Sequence, residues 1–152
     1  MTTDRRELFC ILLPLATGKL ILPRGIVEEV RSLAEPQPLP DMPPWLAGRV
    51  HWRGGTIPLI AVEPLLGAPL PERSRRSRMV IVRTPPDTLE PGFMAIMAQG
   101  FPYILRVTPE LLTVAGQPEN EALLAEIALG LEHPVVPDLP ALAGEAARLL
   151  AA

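Results

Sequence analysis

Apolar and polar positions alternate most regularly around Trp52. Val50 and Trp52 interleave with Arg49, His51 and Arg53, which is the period of a half-buried strand. Gly54 and Gly55 follow and supply the positive φ angles of a two-residue hairpin turn. Thr56–Val62 then returns as a second strand, nearly all apolar and rich in β-branched residues. Pro58 has no N–H to give a ladder, so it is expected at a sheet edge or facing solvent. Glu63–Leu66 reads as a short helical segment closed by Gly67. The stretch from Trp45 to Gly67 is thus a strand–turn–strand unit with Arg53 held at its turn.

The same reading carries along the chain. Leu8–Leu15 and Leu20–Leu22 predict two strands joined at Ala16–Lys19. Arg24–Val30 fits one or two helical turns or a helix-to-strand junction. Glu35–Pro44 holds five prolines and predicts a rigid extended connector. Met79–Val82, Phe93–Ala98 and Tyr103–Val107 are further strands, with a turn-rich loop over Pro85–Gly92 and a short turn at Pro109–Leu112. Glu119–Leu129 is rich in Ala, Leu and Glu and predicts two or three helical turns. A last strand starts at Val135, and Asp138 is placed to N-cap a terminal helix over about 140–150. The pattern is all-β, with one or two short helices.

Composition narrows the picture. Hydrophobic residues are 48% of the 152 and aromatics only 4%, so the core must be aliphatic. With Pro 20 and Gly 11, short strands and turns are favoured over long helices. The length predicts a single domain, residues 1–152. A net charge of -3 argues against a nucleic-acid or membrane-surface binder. Lone Cys10 cannot form an internal disulfide. Asp4 and Glu7 spoil the charged start that Arg5 and Arg6 would give a signal peptide. No run is long enough to insert into a bilayer as a helix, so a cytoplasmic protein is expected.

Catalytic motifs are missing from the sequence, and His51 and His133 are its only imidazoles, too few for a metal centre without cysteine ligands. No cofactor is expected. The loop Pro69–Ser77 carries Arg73, Arg75 and Arg76, and reads either as a solvated loop or as a docking patch for an acidic partner.

Gly48, Val50, Arg53, Gly54, Ile57, Pro58 and Leu59, followed by Leu65-Leu66-Gly67 and preceded by Pro43-Pro44-Trp45-Leu46, form an ordered set. That set resembles the CheW family, the adaptors of bacterial chemosensory arrays. Val27-Glu28-Glu29-Val30 is similar to the family's valine–spacer–glutamate–aliphatic segment and puts Glu29 at its glutamate. Gln99 stands where the family usually has an acidic residue. The Gly116–Gly130 stretch departs from the family's strand there. The resemblance covers roughly residues 8–142.

It implies a pair of packed five-stranded β-barrels, the first roughly 20–80 and the second roughly 80–142, with the N-terminal strand contributing to the second. It further implies a non-catalytic adaptor coupling chemoreceptors to a CheA-type histidine kinase, with pilus-type, non-flagellar pathways among those it could serve. One barrel would bind the kinase regulatory domain, and the groove between barrels would receive the chemoreceptor tip. Partner-binding positions would be Glu29, Val50, Arg53, Gly54, Ile57 and Leu59, the three aliphatic ones being anchors or core. Glu29 and Arg53 are expected to approach each other. The alternatives are a diverged adaptor that binds only kinase or only receptor, and a small β-barrel enzyme or ligand-binding protein. The latter needs convergent polar groups that the sequence does not offer.

Overall fold

The computed structural model describes residues 8–108 and 112–151. The expected turn at Pro109–Leu112 and the charged residues before Leu8 lie largely outside these. Among the described residues eleven strands form two curled sheets. The first, five-stranded, contains β3 (Val27–Ser32), β4 (Leu46–Trp52), β5 (Gly55–Ile60), β6 (Arg78–Arg83) and β7 (Phe93–Ala98), ordered β3-β6-β7-β5-β4. The second has six: β1 (Leu8–Pro14), β2 (Lys19–Pro23), β8 (Tyr103–Val107), β9 (Thr113–Gly116), β10 (Leu123–Ala128) and β11 (Val135–Pro137), ordered β8-β1-β2-β11-β10-β9. All pairs are antiparallel except β5–β7 and β2–β11. The first sheet therefore closes with β7 rather than near residue 80, and the whole β1–β2 hairpin joins the second.

Strand alternation sorts the apolar residues into two cores. Val50, Ile57, Leu59, Met79, Ile81 and Ala95 point inside the curled five-stranded sheet. Their neighbours Ile60, Val80, Val82, Met94 and Ile96 point the other way, into a second core shared with β1, β2 and the helix. Strands β5, β6 and β7 are buried on both faces, which is why they read as nearly unbroken apolar runs. Helix α1 (Leu139–Ala151) seals the second core with Leu139, Leu142, Ala143 and Ala146. Asp138 caps it: its Oδ1 accepts from Ala141 N at 3.0 Å and its carbonyl from Leu142 N at 3.0 Å. Fully buried Glu63, in the 3-10 turn Glu63–Leu66, ties the sheets together by accepting from Ala16 N at 2.9 Å.

Three local expectations are corrected. The hairpin turn is Arg53-Gly54, with φ 47 and 77, while Gly55 lies in β5 opposite Trp52. Pro58 is buried in an interior strand; it is tolerated because β5 first pairs with β7 at Leu59, one residue later. The helix expected over Glu119–Leu129 is strand β10 instead. Helix preferences of a few tenths of a kcal/mol per residue yield there to pairing with β9 and β11 and to burial of Leu123 in the core. The Asn120 side chain also closes a turn onto Ala122 N at 2.8 Å.

Candidate docking site

Strands β3 and β4 are the two edges of the five-stranded sheet, and side chains join them where the sheet curls round. The Trp52 indole N–H, at the end of β4, donates to Glu29 Oε2 on β3 at 2.7 Å. The Trp52 ring packs edge-on against Phe93, with centroids 4.7 Å apart. On its other side lies the Arg53 guanidinium, 4.3 Å from the ring centroid. Arg53 then pairs with Glu28, Nη1 to Oε1 at 3.6 Å, and Arg83 Nη1 reaches Glu28 Oε2 at 2.8 Å. Arg83 also donates to the Gly25 carbonyl. Arg31 stands 3.8 Å from Glu29 Oε1.

Glu29 and Arg53 thus share a partner, Trp52, without pairing directly; the carboxylate facing Arg53 is Glu28. Gly54 sits at the turn with open space where a Cβ would go. Val50, Ile57 and Leu59 are at most 1% exposed, so the structure makes them core and not surface anchors. Sequence reasoning passed over Glu28, Trp52 and Arg83. The alternating strand pattern could have flagged Trp52 as inward-facing, but nothing local links it to a residue 23 positions upstream.

Arg83 leads into a second feature, an apolar groove of about 480 Å³. Its walls are Pro23, Leu124 and Val136 of the six-stranded sheet, Ile26 of the 3-10 turn Arg24–Ile26 and Leu139 at the start of α1, and the five-stranded sheet reaches it with Arg83 at its rim. Leu124 remains 50% exposed. Charged seam and apolar groove are therefore contiguous through one arginine. Cys10 is half-buried, and burial pushes its thiol pKa up, away from a thiolate nucleophile. Among the described residues no cluster of His, Cys, Asp and Glu could hold a metal ion, and no helix is long and apolar enough to cross a membrane.

Two curled sheets packed over a shared core, with an apolar groove at one end beside a charged seam, define the class of the fold. The chain belongs to the CheW family: the match to the CheW-like domain runs over residues 10–145. The crystal structure of the scaffolding protein TtCheW from Thermoanaerobacter tengcongensis is similar in fold, with a TM-score of 0.70 at 16% identity over 87% of this chain and 89% of that one. No curated protein sequence matches significantly. Proteins of this family are scaffolds and generally non-catalytic.

Proposed function

We propose that the protein is a cytoplasmic, non-catalytic adaptor of a bacterial chemosensory array, linking a chemoreceptor tip to the regulatory domain of a CheA-type histidine kinase. The observation that carries this reading is the apolar groove on the six-stranded sheet and the start of α1, reached by Arg83 of the other sheet, in a chain of the CheW family. A helical hairpin tip presents an apolar stripe, and Leu124, Val136 and Ile26 offer it a matching wall. Arg83 at the rim, held by Glu28, sets orientation more than affinity. The kinase domain is assigned to the five-stranded barrel, around the exposed turn. There Arg53, Gly54 and Glu29 present polar groups, while Val50, Ile57 and Leu59 hold the strands behind them. The stretch 116–130 carries strand β10, in keeping with the family's strand there, so it supplies no ground for an adaptor that binds only one partner.

The test is calorimetry with the regulatory domain of a chemosensory kinase from the same genome. Saturable binding is expected, weakened about tenfold or more by Arg53→Ala, with the variant's melting temperature close to the parent's. Tight binding that ignores Arg53 would move the kinase surface elsewhere. No binding by a folded protein to any such kinase would overturn the kinase half of the proposal.

A further inference from the structure

The loop before β6 carries a concentration of charge that the groove and the seam do not use. Glu72–Arg78 holds four arginines and one glutamate, a local +3 in a chain of net -3. Arg73, Arg75 and Arg76 are exposed. No acidic side chain among the described residues pairs with these three or with Arg78. Unneutralised clusters repel themselves, so a loop that keeps one folded and ordered is arranged for something outside the chain.

Its backbone is fixed. Ser77 is 1% exposed, and its Oγ accepts from Ser74 N at 2.9 Å. Ser77 N donates back to the Ser74 carbonyl at 3.1 Å, and Leu33 N to the Ser77 carbonyl at 3.1 Å. Arg78 turns inward, donating to the carbonyls of Arg75 and Ser77 at 2.8 and 3.0 Å. Its guanidinium stacks 4.0 Å from the centroid of the Phe101 ring, a side chain left 71% exposed. Arg73 also donates to the Leu33 carbonyl at 3.5 Å, so the loop presents exposed guanidiniums that no acidic side chain neutralises, tied through Arg78 to an exposed aromatic ring. The fixed loop backbone lowers the ordering cost of binding.

We propose that Arg73, Arg75 and Arg76, with Phe101, form a second docking surface, for an acidic segment of a partner protein that also carries an apolar residue to cover the ring. Guanidinium forks match carboxylates in pairs. A short acidic segment fits the footprint; a nucleic acid or an anionic bilayer would extend past it onto a chain that is acidic elsewhere. The surface is separate from the groove. The loop precedes Arg78 at one end of β6 and the groove begins at Arg83 at the other, roughly 17 Å away at strand rise. Both can be occupied at once.

The test uses fluorescence anisotropy with the full chain and a short labelled peptide rich in Glu and Asp with a central Leu. Saturable binding is expected, weakening as salt rises. The variant Arg73→Gln/Arg75→Gln/Arg76→Gln should bind about tenfold or more weakly, as should a Gln/Asn version of the peptide binding the parent chain. Phe101→Ala should cost about threefold. Thermal melts of both variants matching the parent keep the losses attributable to the surface. Binding of a chemoreceptor hairpin peptide to the groove should survive the triple change, so failure here is distinguishable from failure of the adaptor reading. Equal binding by the triple variant, equal binding of the neutral peptide, or tighter binding of duplex DNA or of phosphatidylglycerol vesicles overturns the proposal.

Discussion

Trp52 shows how one side chain can hold a sheet closed. Its N–H satisfies Glu29 across the two edge strands, and Trp52→Phe keeps an aromatic ring there but removes the donor together with part of the buried indole. A loss of about 1–3 kcal/mol is expected from urea unfolding midpoints. Arg53→Ala removes an exposed pair at 3.6 Å and a ring contact, so its cost should stay within about 1 kcal/mol. That contrast is what makes Arg53 a probe of docking and Trp52 a probe of folding. Gly48 has a different reason to be glycine. At φ 139 its missing Cβ would fall 2.4 Å from the Gln37 carbonyl oxygen, and Gln37 is bonded to Arg49 by two backbone hydrogen bonds. Gly48→Ala should cost about 2–4 kcal/mol in the same assay.

Lys19, Tyr103 and Glu132 make a surface cluster whose effect depends on pH. The Glu132 hydrogen bond holds the Lys19 ammonium above its ordinary value of 10.5, and Lys19 holds the Glu132 carboxyl below 4.5. Lowering a carboxyl's folded value gives stability that is present above its unfolded value and lost as pH falls through the folded one. Raising the ammonium's value gives stability lost only as pH climbs past 10.5 toward the folded one. Glu132→Gln should therefore lower the melting temperature at neutral pH and make no difference once pH is well below 4.5.

At the scale of elements, helix α1 is the piece the sequence specifies most completely. Asp138→Ala removes the cap on Ala141 N and should cost about 0.5–2 kcal/mol, read by chemical denaturation. Cap, first-turn proline and apolar spacing all lie within a dozen residues, so Asp138 and the helix were legible from local pattern. The β4–β5 hairpin was legible for the same reason, except for its turn. Arg53-Gly54 forms the turn in place of Gly54-Gly55 because Trp52 must face inward opposite Gly55 to reach Phe93 and Glu29. That demand is tertiary and leaves no mark on the glycines. The same holds for β10, whose helix-favouring composition is overruled by neighbours from both sides. The candidate site was legible only in part: Glu29 and Arg53 stand out by family position, but Glu28 and Arg83 join them through strand register, with Val27 opposite Val82 and Glu29 opposite Ile81.

At the scale of the whole molecule, the two sheets share one continuous core, which fixes the barrel turn and the groove relative to each other. Ile60, Val80, Val82, Met94 and Ile96 from one sheet pack with Ile11, Leu13, Leu20 and Leu22 from the other. Gln99 N donates to the Pro14 carbonyl at 2.8 Å, and Glu63 binds Ala16 N, locking the same junction with hydrogen bonds. A scaffold of this kind can hold two partners at fixed geometry, one on the barrel turn and one in the groove. If so, the two surfaces should be separable by mutation. Leu124 is half-exposed on the groove wall, so Leu124→Asp disturbs little of the core and places a charge where an apolar stripe would lie. Binding of a chemoreceptor hairpin peptide should weaken about tenfold or more, while binding of the kinase regulatory domain stays within about twofold of the parent. Arg53→Ala should give the reverse pattern in the same pair of titrations. Loss of both partners in either variant, with the fold intact by circular dichroism, would mean one shared surface and would remove the two-site scaffold.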